Sequence, residues 1–203
     1  MKIAVIQASS QKDKNAMLYE LVKKSVEKHS YEVINFGVFE NEEANYSYIE
    51  IAIQIGLLIE SGAVDFVVTG CSSGQGMMLA CNTLPNLCCG YIVSPSDAYL
   101  FGRINDGNAV SFPLGLNFGW AGELNLKYCL EKLFDEDFGI GYPLQDSERK
   151  KKDTQLLKTI NKISKRSMAE ILSQLDKEIV QSALSRKNVI DYILEYGRNM
   201  EFV

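Results

Sequence analysis

Histidine is almost absent from this chain: one residue, His29, occurs in 203. None of the five cysteines stands in a C-x-x-C pair. An odd number of thiols without that spacing fits free cysteines in a reducing compartment, and the expected location is the cytoplasm. No run of 18 or more apolar residues is present, so no membrane-spanning helix is expected. The first ten residues, MKIAVIQASS, read as a strand; they lack the longer apolar stretch and cleavage site of a signal peptide. Basic excess is also missing. The formal net charge is −5, which argues against nucleic acid as the main partner, because a phosphate backbone needs a basic face. Neither internal repeats nor low-complexity tracts occur.

The chain is 46% apolar and 23% charged, as one globular domain with an appendage would be. Apolar strand patterns cover Lys2 to Ala8, Tyr31 to Gly37, Asp65 to Cys71, Cys88 to Val93 and Ala109 to Leu114. Helical spacing covers Asn15 to His29, Tyr46 to Ser61, Gln75 to Thr83, Ser96 to Asn105 and Asn117 to Phe134. Strands alternating with helices predict an α/β fold: a three-layer, doubly wound, five-stranded parallel sheet. Ligands of such sheets bind beyond the carboxyl ends of the strands. Composition changes after Phe138. From Ser147 to Arg166 there are eight Lys or Arg against two acids, and amphipathic segments without strand pattern follow. The expected division is an α/β domain over 1–140 and a helical C-terminal extension over 141–203, placed at an oligomer interface.

The stretch VDFVVTGCSSGQGMMLACN, Val64 to Asn82, carries chemistry. It runs from a strand into a glycine-rich turn with Cys71 at the exit. A dinucleotide fingerprint fails, since Gly74-Gln75-Gly76 has no third glycine in register. A P-loop fails for want of lysine. A phosphatase-type loop fails because Met77 stands where arginine is needed. What survives is a turn whose amides, Ser72 to Gly76, form a nest at a helix N-terminus for an anion or a developing oxyanion. The same positive end favours thiolate at Cys71, and a thiolate beside such a nest suits proton abstraction next to a carbonyl. Cys71 also reads as a small apolar filler at a strand end.

CSSGQGMMLACNTLP resembles the C-G-T-G-I-G-M-S-I-A-A-N-K segment of the ribose-5-phosphate isomerase B and galactose-6-phosphate isomerase family, and PSDAYLFGRINDGNAVSFPLG is similar to its S-A-x-x-x-R-x-H-N-D-x-N-V-L-x-x-G segment. The resemblance covers about residues 1–135. It implies an aldose–ketose isomerase of a pentose or hexose phosphate working through a cis-enediol, without metal or cofactor. It also implies a homodimer or homotetramer with shared active sites, and a sugar phosphate as the small-molecule partner. Cys71 matches the catalytic base, and Ser73 keeps the hydroxyl of a catalytic threonine. Ser72, Gly74, Gln75 and Gly76 match the loop that binds the enediolate oxygens. Asn105 matches a substrate-binding asparagine and reads equally as a helix C-cap. Arg149 and Lys152 are candidates for phosphate, as are Lys12 and Lys14 after the first strand, although such basic residues are more often a solvated face. Ser9, after the first strand, is a candidate for sugar hydroxyls, with Ser10 and Gln11 beside it. Two departures bear on the substrate. The ring-opening histidine of the family is Ile104 here, and its Asp-His pair after the first strand is replaced within QASSQKDKN. The alternative is therefore a sugar-phosphate-binding or regulatory module without turnover. Trp120 is expected to start the fifth helix near a sheet end.

Overall fold

The computed structural model describes residues 1–199; residues 200–203 of the expected extension lie outside the described residues. Five strands form one sheet: β1 (Lys2–Ile6), β2 (Glu32–Gly37), β3 (Phe66–Cys71), β4 (Cys89–Tyr91) and β5 (Ala109–Pro113). Their order is β2-β1-β3-β5-β4, and every pairing is parallel. The helices are α1 (Asn15–Ser25), α2 (Tyr48–Glu60), α3 (Gln75–Thr83), α4 (Pro95–Leu100), α5 (Gly122–Leu133), α6 (Ser147–Ser164), α7 (Met168–Gln174), α8 (Lys177–Leu184) and α9 (Lys187–Tyr196). The expected doubly wound α/β fold is present.

Successive strand residues face opposite sides of a sheet, and β1 shows the consequence. Ile3 and Val5 join Leu18, Val22, Phe66, Leu130 and Phe134 in the core under α1 and α5. Ala4 and Ile6 join Ile51, Ile55, Met77 and Leu87 in the core under α2 and α3. Both faces are apolar, so the strands read as continuous hydrophobic runs.

Helix α2 explains the tail. Its residues Ile51 to Leu58 are all buried, which a helix lying on a sheet with its other face in water would not show. Its outer face is covered by the chain's own C-terminal helices. The Met168 methyl sits over Gly56, Gln54 donates to Ala183 O at 2.9 Å, and Val189 and Ile193 complete the cluster. Helices α7–α9 thus bury an apolar surface of their own chain, that of α2. Helix α6 leaves Leu156, Leu157, Ile160 and Ile163 exposed.

Helix boundaries also differ from expectation, the first helix ending at Ser25 rather than His29. The fifth helix starts at Gly122 rather than Asn117, because Asn117 and Gly119 adopt positive φ (57° each), which a helix does not accommodate. Trp120 therefore stands in the preceding loop, 95% exposed. After α4 the chain makes a π turn, Phe101–Asn105, and stops at Asp106 in the left-handed region. No helix of the described residues is long and apolar enough to cross a membrane.

Candidate active site

Strands β1 and β3 are adjacent, and the connections leave them in opposite directions, so a crevice opens at their carboxyl ends. The loops after β1, β3 and β5 meet there. Cys71, the last residue of β3, is 7% exposed, just beneath the surface of this edge. Its carbonyl and that of Ser72 receive the β5 loop: Leu114 N donates to Cys71 O at 3.0 Å, and Gly115 N and Leu116 N donate to Ser72 O at 3.0 and 2.7 Å.

The turn is held by position-specific chemistry. Gly74 is the N-cap of α3 with φ 74°, and a Cβ there would lie 2.7 Å from Pro113 N and 2.8 Å from the Tyr91 ring. Only glycine combines that backbone with that approach. The Ser111 hydroxyl donates to Gly74 O at 2.7 Å from within β5. No side chain caps α3, so the amides of its first turn are not taken by a cap. Gln75 is exposed and Ser73 and Gly76 are half-buried, so the turn is open to a ligand. The Tyr48 ring lies 3.5 Å from where a Gly76 side chain would begin.

The β1 loop supports the turn from the other side. Gln11 donates from Nε2 to Ser72 Oγ at 3.0 Å and to Ser10 O at 2.6 Å, and Ser72 Oγ donates to Ser10 Oγ at 3.3 Å. The buried Gln11 Oε1 has no hydrogen-bond partner in the structure, an acceptor left at the edge of the site. Ser9 Oγ accepts from Tyr46 N at 2.6 Å, so this hydroxyl holds the loop after β2. Ser111 is a contact supporting this turn that sequence reasoning missed. A lone hydroxyl within the apolar strand AVSFP was the signal.

The remaining candidates gather at the opposite end of the sheet. Asn105 ends the π turn before β5, at that strand's amino end, and is exposed. The left-handed cap is Asp106 and not Asn105. Helix α6 docks here through Thr154 Oγ1, which donates to Ile104 O at 2.6 Å, and through Lys158, which pairs with Asp106. Arg149 and Lys152 lie in its first turns, exposed, with Arg149 bound to Asp146 at 2.9 Å and Asp153 at 3.2 Å. Asn108 is structural: it accepts from Cys88 N at 2.9 Å and donates to Asn86 O at 2.7 Å. Within one chain, then, Cys71, Ser72, Ser73, Gly74, Gln75, Gly76 and Ser9 come together, and Asn105, Arg149 and Lys152 form a separate group. His29 is remote from Cys71, half-buried, with Nε2 2.8 Å from Phe134 O and its ring stacked on Tyr31. Among the described residues no three His, Cys, Asp or Glu side chains gather as a metal group.

Fold and site define a class, a doubly wound α/β protein with a strand-end cysteine under an uncapped helix N-terminus. The chain belongs to the ribose/galactose isomerase family, whose model matches residues 7–129. It is similar to a 4-deoxy-L-threo-5-hexosulose-uronate ketol-isomerase solved with tartrate (37% identity, 98% of this chain and 94% of that one, TM-score 0.93). It is equally similar to a ribose-5-phosphate isomerase from Vibrio parahaemolyticus (37% identity, 98% and 93%, TM-score 0.91). A type B ribose 5-phosphate isomerase of Trypanosoma brucei shares the fold at 17% identity and TM-score 0.65, over 78% of this chain and 97% of that one. A comparison with curated proteins gave no match. Family and relatives together support a sugar isomerase.

Proposed function

We propose that the protein interconverts an aldose and a ketose through a cis-enediol, with Cys71 as the base, on a substrate that arrives with its ring open. The observation that carries this is a strand-end thiol beneath the α3 N-terminus in a chain whose single imidazole, His29, is bound elsewhere. Cys71 removes the C2 proton of the aldehyde form and returns it to C1. The charge that develops on O1 lies at the amides of the α3 first turn, and the Ser73 hydroxyl moves the remaining proton between O1 and O2. Ile104 stands at the motif position of the family's ring-opening imidazole, so the ring-opening step of that family has no histidine here.

The far end of the substrate carries an anion. Arg149 and Lys152 of a second copy would bind it, with that copy's Asn105 on the substrate, as the family resemblance implies, because one chain keeps them at the other end of the sheet. Phosphate was the anion expected from the sequence. A carboxylate fits the same cationic donors, and one relative at 37% identity is named for a uronate. The missing imidazole also fits a module that holds a sugar phosphate without turnover, but such a module has no use for the thiol.

Turnover of ribose 5-phosphate, tetrose phosphates, which cannot close a stable ring through a phosphorylated hydroxyl, and 4-deoxy-L-threo-5-hexosulose-uronate separates these readings. Turnover of the open-chain compounds at least about 100-fold faster than of ribose 5-phosphate is expected. Preference for the cyclic sugar phosphate sinks the open-ring reading, and binding without turnover of any supports the module.

A further inference from the structure

The helices α8 and α9 lie beyond the 7–129 segment of the family match, yet their junction reaches toward the candidate site. Arg186 sits there with its side chain 2% exposed. Its Nη2 pairs with Glu42 Oε1 at 2.8 Å and also donates to Phe36 O, while Nη1 donates to Gln54 Oε1 at 3.2 Å. The guanidinium lies 5.1 Å over the Tyr46 ring. Glu42 Oε1 additionally accepts from Phe39 N at 2.7 Å. One cation from the tail thus fixes the end of β2 and both limbs of the loop over residues 38–47.

That loop supports the β1 loop directly. Tyr46 N donates to Ser9 Oγ at 2.6 Å, Ser9 N donates to Tyr46 O at 3.3 Å, and Lys12 Nζ donates to Glu42 O at 3.1 Å. Ser10 and Gln11 then hold Ser72, the residue after Cys71. Two residues beyond Tyr46, Tyr48 packs beside Gly76. We propose that Arg186 is a positioning residue for the isomerase site: through Glu42 and Tyr46 the C-terminal extension sets the β1 loop against the Cys71 turn. The extension therefore has a catalytic consequence within its own chain, apart from any oligomer contact. A buried guanidinium suits this task because its planar fork holds several acceptors at fixed angles, which a lysine ammonium does not. Displacement of a catalytic loop by about 1 Å costs on the order of 100-fold in rate.

The test uses the full chain and two variants, Arg186→Lys and Glu42→Gln, the second keeping the shape of the loop side chain. Hydrogen exchange by mass spectrometry and steady-state kinetics on the substrate turned over by the native protein are read together, at a temperature where each variant is folded. In Arg186→Lys, amide protection is expected to fall at least about 10-fold in residues 38–48 and in 8–14, with protection in β4 and β5 retained. kcat should fall between about 10- and 100-fold, more than KM rises. Glu42→Gln should give the same pattern in weaker form. Loss of protection in 38–48 with 8–14 and kcat unchanged overturns the proposal and leaves Arg186 as a structural pin. The proposal builds on the isomerase reading; if the native protein turns over no substrate, the exchange at 8–14 still decides whether the clamp exists.

Discussion

Replacing Gly74 by alanine tests how the site is built. The residue has φ 74°, and the new methyl would lie 2.7 Å from Pro113 N, 2.8 Å from Phe112 C and 2.8 Å from the Tyr91 ring, two of these being backbone atoms of a central strand. The left-handed backbone costs about 1–2 kcal/mol. Relief of the overlap costs about 1–3 kcal/mol more. A loss of about 2–5 kcal/mol corresponds to a fall of about 4–20 °C in Tm for a chain of this size. The overlap is relieved by moving the turn away from β5, which displaces the α3 first-turn amides; loss of one such donor costs about 100- to 1000-fold in kcat. Gly119→Ala is the control. It shares the positive φ (57°) but has nothing within 4 Å of the new methyl, so it should lose about 1–2 kcal/mol and keep its turnover. Thermal unfolding and kinetics on both proteins decide. Equal stability losses, or native turnover in Gly74→Ala, refute the account of the turn.

Other perturbations reach the supporting structure. Burial pushes the Cys129 thiol from 9.0 up to about 12, so it stays neutral in the fold while the unfolded chain ionises above 9. The unfolded state then binds fewer protons, and stability should fall by about 1.4 kcal/mol per pH unit per such thiol between pH 9 and about 12; urea midpoints for Cys129→Ala should show a shallower decline. For Glu50, burial raises the pKa, but hydrogen bonds from Ser182 and Ser47 outweigh it and hold the carboxyl below its usual 4.5. Its stabilisation is present above 4.5 and lost as pH falls through the lowered value, so Ser182→Ala should unfold at a higher pH in an acid titration and lose about 1 kcal/mol at neutrality. Met168→Ala, which empties the contact over Gly56, should cost about 2–5 kcal/mol in urea unfolding with kcat unchanged.

The sheet was legible because both faces of β1 and β3 are buried, which leaves near-continuous apolar runs, IAVI in β1 and FVV in β3. Helix α3 is found at its expected bounds, Gln75–Thr83, since Gly74 and Pro85 punctuate it. The fifth helix was overextended because Asn117 and Gly119 look helix-compatible until their positive φ is known. Cys71 and its turn were legible from local spacing. The separation of Asn105 from Cys71 was available in principle, since a residue preceding β5 must lie at the amino end of a parallel strand; that of Arg149 and Lys152 was not, because it depends on where α6 docks. The role of Arg186 was not, because its pairing with Glu42 spans 144 residues and no local pattern encodes it. The eight consecutive buried residues of α2 were the one sequence-level hint that the tail covers it.

The central claim, proton transfer by Cys71, is tested most directly by deuterium uptake from heavy water into the aldose or ketose substrate, followed by mass spectrometry with native protein and Cys71→Ser side by side. The account predicts one deuterium at C1 or C2 with native protein and a loss of at least about 1000-fold with the variant, whose fold and Tm are retained. Uptake undiminished in Cys71→Ser would contradict it and move the base elsewhere in the site.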